Sequence, residues 1–370
     1  MKITCDKQKL NESVLNIQKA VSTKSSVPAL EGILIRTDEN SVFLCGYDLE
    51  LGITTIFDCE VEEKGSIVLN ARLFSEIVRR LPGPEVTISS DEKQMAIIHS
   101  GEAEFSIVGI PAQEYPELPA VSGETTLKIQ SATLRSMIHQ TLFAVAENDA
   151  KPIHTGTLFE LEQNRIRLIS VDGYRLAIRE EPVQSSLNTN FVVPGKTLGE
   201  VLKLLSDDER EVELQIGRRH ILFNIENYTV ISRLLEGEFL DYRAAIPKDC
   251  STELKVSTQN FINSVERVSL LITDRLKSPV RCIFENNEIR LSCSTAIGRA
   301  NDKLAAAHMS GDSLEIGFNN RFLLDALRNT ECDEIRIQMS GPLSPMRILP
   351  PEGNSFLFLV LPVRLKSSTD

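Results

Sequence analysis

The chain has no tryptophan among its 370 residues, and aromatic side chains make up only 5% of it. Binding single-stranded nucleic acid by stacking needs exposed aromatic rings, so that mode is poorly provided for. The sequence also lacks a GxxxxGK[ST] phosphate loop, a GxGxxG after a strand, an HExxH and a GxSxG. The nucleotide-binding, metallopeptidase and serine-hydrolase chemistries that use those motifs are therefore without their parts. The five histidines (His99, His139, His154, His220, His308) show no metal-ligand spacing. No catalytic residue, metal or cofactor is expected. The longest strongly apolar stretch, residues 356–363, falls far short of the roughly 20 residues that cross a bilayer. The start, Met1-Lys2-Ile3-Thr4-Cys5-Asp6, has no apolar signal core. A cytoplasmic protein with no membrane partner is the expectation.

Seven cysteines, an odd number, contain no CxxC pair. They read as small hydrophobes in a reducing compartment, not as a disulfide framework or a zinc site. The net charge of −12 would ordinarily argue against a nucleic-acid partner. The charge is unevenly placed, however, and the repeats show where.

Three segments resemble one another: residues 69–79, 193–203 and 318–328. Each has a base (Arg72, Lys196, Arg321), an apolar residue two later, an acid at four (Glu76, Glu200, Asp325) and a second base at seven (Arg79, Lys203, Arg328). The offsets between copies are 124 and 125 residues, so three periods fill the chain. In a helix, positions i and i+7 share a face, which puts the bases on one stripe and the apolar residues on another. Asn70 and Asn319 or Asn320 stand where N-caps belong, with Pro194 near a first turn.

An alternating strand follows each of these helices, at residues 86–88, 212–216 and 335–339, and a second follows at 95–98, 221–223 and 346–349, as in hairpins. An earlier helix also recurs, at Leu10 and Val14, Leu134 and Ile138, and Phe261 and Val265. After it come residues 32–35 and 156–159, with Asp48 and Asp172 each sixteen residues beyond the leading glycine; the third copy, 280–284, is degenerate. Two helices per unit with hairpins and meanders suit α+β domains built on antiparallel sheets. Domain limits are expected at 1–121, 126–246 and 252–370. A string of beads or a trefoil would show the same periodicity as a ring.

Six helices are expected, at about 7–21, 70–81, 130–146, 194–205, 257–272 and 318–330. They hold twelve bases and five acids, a net of +7 against −19 for the rest. A basic surface without interleaved aromatics contacts phosphates and reads no sequence. Non-specific binding of double-stranded DNA fits best.

The chain resembles the bacterial DNA polymerase III beta subunit, the sliding-clamp family, over its whole length. The resemblance is carried by residues 1–4, 27–30, Thr54-Thr55 after residues 48–50, and Val171-Asp172-Gly173-Tyr174-Arg175-Leu176. Residues 239–243, 316–319 and Leu361-Pro362-Val363-Arg364-Leu365 complete it. It implies three similar domains and a head-to-tail homodimeric ring with helices lining the hole. It also implies partners: the replicative polymerase's alpha subunit, the clamp loader and other proteins that dock a short peptide, usually with Gln and a Leu-Phe end, between domains 2 and 3.

By resemblance the peptide pocket maps to His154, Val171, Gly173, Tyr174, Arg175, Leu176, Leu240, Ala244, Ala245, Leu343, Pro345, Met346, Leu359, Leu361, Pro362, Val363 and Arg364. Leu176, Leu361 and Val363 would make its apolar cavity, and Arg175 a polar anchor. The chain departs from the usual family pattern at His154, where leucine is common, at Leu240, often proline, and at Ala244, often a base. Family DNA contacts map to Lys24, Arg72, Arg79, Asn148, Lys196, Lys203 and Asn319, of which four lie on the repeat-derived stripe that Arg321 and Arg328 complete. The dimer contact maps to Phe105 and Ile107 meeting Leu271 and Ile272, a heterologous contact closed after two copies. Residues 366–370 run past the usual family ending and read as a flexible tail.

Two rival readings are weaker. A repeat-domain scaffold that binds only proteins has no need of the basic stripe. An enzyme centred on Asp172, Tyr174 and Arg175 would need a second acid or a nucleophile nearby; Asp172 reads instead as an Asx-turn residue that shapes its loop.

Overall fold

The structure, a computed structural model, is described over residues 1–121, 125–148 and 150–365; the tail at 366–370 lies outside this range. Among the described residues six α-helices form: α1 (Lys7–Ile17), α2 (Ala71–Arg80), α3 (Ser131–Leu142), α4 (Gly195–Leu204), α5 (Thr258–Ser269) and α6 (Asn320–Arg328). The caps explain their starts. Asp6 accepts from Lys9 N at 2.8 Å, Asn70 from Leu73 N at 3.0 Å, and Asn319 from Arg321 N at 2.9 Å, each satisfying an N–H that the first turn leaves without a partner. Several helices end sooner than the sequence suggested. After Ile17 the chain tightens into a 3₁₀ turn, Gln18–Ala20, and α3 stops at Leu142.

The chain divides into two compact units. One holds Met1–Ala132 with Gly199–Leu234, the other Thr133–Leu198 with Leu235–Asp370. The division runs through α3 and α4, so each unit contains a terminal repeat together with one sheet of the middle repeat.

In the first unit an eight-stranded sheet joins two repeats. Tyr228–Arg233 pairs antiparallel with Leu51–Asp58, extending the meander that contains the expected 212–216 and 221–223 hairpin into the strands of the first repeat. In the second unit Arg175–Pro182 pairs with Phe356–Val360 in the same manner, making nine strands. Each unit also has a shorter sheet. The first unit's five-stranded sheet ends on Ala103–Val108, and the second unit's four-stranded sheet ends on Gly298–Ala305. All of these pairings are antiparallel, as alternation with period two predicts.

Residues 280–284, degenerate in sequence, still form a strand. Val280–Glu285 pairs with Leu314–Phe318 on one side and Glu288–Thr295 on the other. Gly32–Thr37 sits in the same way between Ser66–Asn70 and Ser41–Tyr47. The apolar side of each helix faces its sheet. Phe74, Ile77 and Val78 of α2 and Leu323, Leu324 and Leu327 of α6 are buried. Cys5, Cys45, Cys282 and Cys293 are buried as expected, whereas Cys250 is exposed and Cys59 and Cys332 are half-buried.

Candidate functional site

The bases of the repeated motif all stand on the side of their helix away from the core. Arg72, Arg79, Lys196, Lys203, Arg321 and Arg328 are exposed, as is Lys24 in the loop after α1 and Asn148 after α3; Asn319 is half-buried and uses its side-chain oxygen to cap α6. The six helices as folded carry eleven bases and five acids. The positive bias therefore survives their shortening.

Two of the motif's three acids pair within their own helices. Glu76 meets Arg79 at 2.8 Å, and Glu200 meets Lys203 at 2.9 Å. Arg321 meets Glu147 at 3.0 Å and Arg328 meets Glu266 at 2.6 Å. Exposed pairs of this kind contribute about 1 kcal/mol at most, so they yield readily to a phosphate. Arg79, Lys203 and Arg328 also lie in the last turn of their helices, where a cation is stabilised by the helix dipole. That structural role does not account for Arg72, Lys196 and Arg321 at the opposite ends.

The second surface is built on a turn that occurs twice. In the second unit Asp172 Oδ1 accepts from Tyr174 N at 2.9 Å and Arg175 N at 3.0 Å, with Gly173 at φ +85°. Asp172 is thus the expected Asx-turn residue. In the first unit Asp48 Oδ1 accepts from Glu50 N at 3.0 Å and Leu51 N at 2.7 Å, with Leu49 at φ +75°. A left-handed leucine is uncommon, and here the capping carboxylate holds it.

Beyond the turn, Leu361 donates its N–H to Tyr174 O at 2.9 Å, and Val363 donates to Gly317 O at 2.8 Å. Of the residues assigned to the pocket, Val171, Leu176 and Leu359 are core and share one cluster with Ile153 and Tyr242. Met346 is fully buried in the other core of this unit. These four can serve only as floor. Tyr174, Leu240, Leu343, Leu361 and Val363 are the exposed apolar residues; Pro362 is half-buried between exposed neighbours, and Pro345 is half-buried beside the buried Met346. Arg364 is exposed beyond Val363. His154 sits edge-on to Phe239 with ring centroids 5.6 Å apart. Two clefts of about 560 and 630 Å³ flank the segment that carries Leu240.

The turn bearing Ala244 and Ala245, both exposed, is fixed by a charge network. The buried Glu160 carboxylate accepts from the Tyr242 hydroxyl at 2.8 Å, Arg243 at 2.8 Å and Arg167 at 3.1 Å. Burial alone would raise the pKa of Glu160; these three donors outweigh it and hold the carboxyl below its usual range. Burial and Glu160 together push the Tyr242 hydroxyl well above the ordinary phenol range.

Arg175 departs from the polar anchor expected of it. Its side chain is 8% exposed, donates from Nε to Asp172 at 2.9 Å, pairs through Nη1 with Asp325 of α6, and lies 4.8 Å from the ring centre of Phe322. Sequence reasoning missed Phe322 and Asp325, because the repeat pattern gave Asp325 to its own helix, like Glu76 and Glu200.

Among the residues assigned to the dimer contact and their neighbours, Phe105 is 38% exposed and Val108, which was not anticipated, is 72% exposed, both on the sheet-edge strand Ala103–Val108. Ile107 is half-buried there. Leu271 and Ile272 pack partly against the core while their neighbour Leu270 is 80% exposed. The edge strand Gly298–Ala305 was also not read from sequence; Asp302 stands on the half-buried phase of its alternation, with Gly298, Ala300 and Leu304, and hides it.

Comparison with known proteins decides the family. Residues 1–119, 128–241 and 243–364 match the N-terminal, central and C-terminal domains of the DNA polymerase III beta subunit. The chain belongs to the DNA polymerase III beta subunit family. It is 36% identical to the beta sliding clamp of Bacillus subtilis, with 98% of this chain and all of that protein covered. The crystal structure of the sliding clamp from Bacillus subtilis superposes with a TM-score of 0.95 at 35% identity, covering 99% of this chain and 100% of that one. That of a beta subunit from Eubacterium rectale gives 0.92 at 36%, covering 98% and 99%. A Pseudomonas aeruginosa clamp solved with griselimycin bound gives 0.93 at 25%, covering 99% and 100%. The three-domain α+β architecture is that of the family, and the family's members are accessory clamps in replication, not catalysts. Among the described residues no helix is long and apolar enough to cross a membrane.

Proposed function

We propose that two copies of this chain close head to tail into a ring that encircles double-stranded DNA without reading its sequence and tethers peptide-bearing partners. The observation that carries this reading is the pairing pattern of the repeats. At two internal junctions the third strand of one repeat's meander, Tyr228–Arg233 or Phe356–Val360, pairs with a strand of the preceding repeat, Leu51–Asp58 or Arg175–Pro182. Ala103–Val108 is the first-repeat counterpart of the former, and Gly298–Ala305 the third-repeat counterpart of the latter. Each is left as an edge. Open edges invite pairing, and joining the edge of one copy to the opposite edge of the next extends the same junction.

Phe105 and Ile107 would meet the partner copy's residues near Leu271 and Ile272, with Val108 and Leu270 adding exposed apolar area. The helix-borne bases, together with Lys24, Asn148 and Asn319, supply the phosphate contacts. The surface around Tyr174, Leu240, Leu343, Leu361 and Val363, floored by Val171, Leu176, Met346 and Leu359, takes the peptide of a replicative polymerase alpha subunit, a clamp loader or a similar partner. A cytoplasmic location follows from that work. The test is the assembly mass in solution. A dimer of twice 41.2 kDa that falls to monomer in Phe105→Asp supports closure through this edge; a wild-type monomer at micromolar concentration overturns it.

A further inference from the structure

Cys5 and Cys59 are far apart in sequence and neighbours in the first unit's five-stranded sheet. The first strand, Lys2–Asp6, lies between Glu85–Ser90 and the edge strand Glu60–Glu63. It pairs antiparallel with that edge strand, Ile3 opposite Val61 and Thr4 opposite Glu60. One step further along the same ladder puts Cys5 opposite Cys59. Directly opposite residues share a face of the sheet, and burial agrees. Ile3 and Cys5 are buried, Val61 and Cys59 half-buried, and Glu60 and Glu62 exposed.

Cys59 is the corner at which the chain leaves Leu51–Asp58, in the eight-stranded sheet, for Glu60–Glu63 in the five-stranded one. Its N–H donates to Asn40 O at 3.0 Å, which pins the corner. Opposite residues of an antiparallel pair have Cα atoms about 4.5–5.5 Å apart, within the roughly 4.4–6.8 Å that a disulfide spans. The two sulfurs also sense each other: burial raises the Cys5 thiol most, and the charge of Cys59 is the next cause. Access to them is unequal. Cys5 is 4% exposed, whereas Cys59 is half-buried, so a small oxidant in solution meets Cys59 first.

We propose that Cys5 and Cys59 are a reversible redox pair: a hydroperoxide oxidises Cys59, and Cys5 resolves the product as an intramolecular disulfide. The Cys59 thiolate attacks a peroxide oxygen, the O–O bond breaks, and the leaving hydroxide takes a proton, giving a sulfenic acid and water. The Cys5 thiolate then attacks the sulfenic sulfur. The S–S bond forms, the S–O bond breaks, and the hydroxide released takes up a proton as a second water. In sum two thiols lose two electrons and two protons, and one hydrogen peroxide becomes two waters. Burial and the neighbouring Asp58 raise the Cys59 thiol, so the first step is slow at neutral pH. The bond ties the strand that leads into α1 to the corner between the two sheets. In a reducing compartment it forms under peroxide and is undone by thiols.

The test uses the full-length chain, fully reduced, exposed to hydrogen peroxide at neutral pH and quenched with iodoacetamide. Digests are read by mass spectrometry with and without reductant. The expected product is a linked pair of peptides carrying Cys5 and Cys59, two hydrogens lighter than the free peptides together, which reductant releases. Cys45 and Cys282 should remain thiols. In Cys5→Ala, Cys59 should persist as a sulfenic acid and be trapped by dimedone several-fold more than in wild type. In Cys59→Ser, altered at the half-buried corner, Cys5 should stay reduced; this variant decides the order of steps if Cys5→Ala does not fold. Absence of the linked peptides in wild type overturns the proposal, whether Cys59 stays a thiol or runs on to sulfinic acid. Linkage of Cys59 to Cys250 of a second copy in place of Cys5 overturns it too, as does oxidation of Cys5 at an undiminished rate in Cys59→Ser.

Discussion

The backbone N–H of Leu361 meets the carbonyl of Tyr174 at 2.9 Å, and this bond ties the chain's last stretch to a turn nearly two hundred residues earlier. The same bond recurs in the first unit, where Arg233 N donates to Glu50 O at 2.8 Å. One backbone design thus carries two surfaces. One presents Tyr174 and Leu361, the other Glu50 and Arg233, and the proposed peptide site uses the first.

Leu361→Ala should accordingly weaken binding of a Gln- and Leu-Phe-containing peptide by about 2 kcal/mol, roughly thirtyfold, because a short ligand depends on one or two anchors. Leu361 is 39% exposed, so the unbound protein should lose little stability. A peptide titration beside a thermal melt checks both halves. Unchanged affinity would remove Leu361 from the pocket.

Arg175→Ala should behave differently. Removing it leaves Asp172 and Asp325 facing each other without their cation, and breaking a buried pair in this way costs about 3 kcal/mol. The denaturant midpoint should fall at an unchanged slope. A variant as stable as wild type would mean that the ion pairs contribute nothing.

Replacing Arg72, Lys196 and Arg321 with Ala should flatten the salt dependence of DNA association by roughly one log–log unit for each phosphate that is no longer neutralised. The fold should survive, because these side chains are exposed and their pairs weak. An unaltered slope in the triple variant would take the stripe away from DNA.

Acid should loosen the turn at residues 242–245. Glu160 titrates below its usual value in the folded chain, so its contribution is present above the unfolded carboxyl's range and is lost as pH falls through the depressed folded value. Glu160→Gln should therefore lower stability at neutral pH and flatten its decline on acidification. Parallel pH–stability curves for the two proteins would contradict this.

Thiol labelling gives a further check on the fold. Burial pushes Cys5, Cys45 and Cys282 up to about 12, and a thiol so placed reacts slowly. Cys250 is exposed. It should label first in the native protein at neutral pH, with Cys5, Cys45 and Cys282 reacting only on unfolding, as read by mass spectrometry of digests.

The periodicity of charged and apolar residues made three repeats and both recurring helices legible, because those signals are local. Asn70 and Asn319 marked helix starts for the same reason. Helix ends were harder: residues 18–20 keep the apolar spacing yet tighten into a 3₁₀ turn. Strand pairing between repeats, such as Val230 with Ile53, joins residues far apart in sequence and leaves no local trace. The pocket residues came from family resemblance. Whether each is floor or rim, as with Leu176 against Leu361, depends on that long-range pairing. Arg175 was the least legible, since its partner Asp325 matches a pattern that elsewhere pairs within its own helix.

The most direct test of encirclement is topological. The protein is loaded onto a nicked circular duplex, the free protein is removed, and half of the DNA is then cut once to linear form. Protein that encircles DNA without gripping its bases should stay on the circle and slide off the linear duplex within the same interval. Equal retention on the two forms would contradict the account.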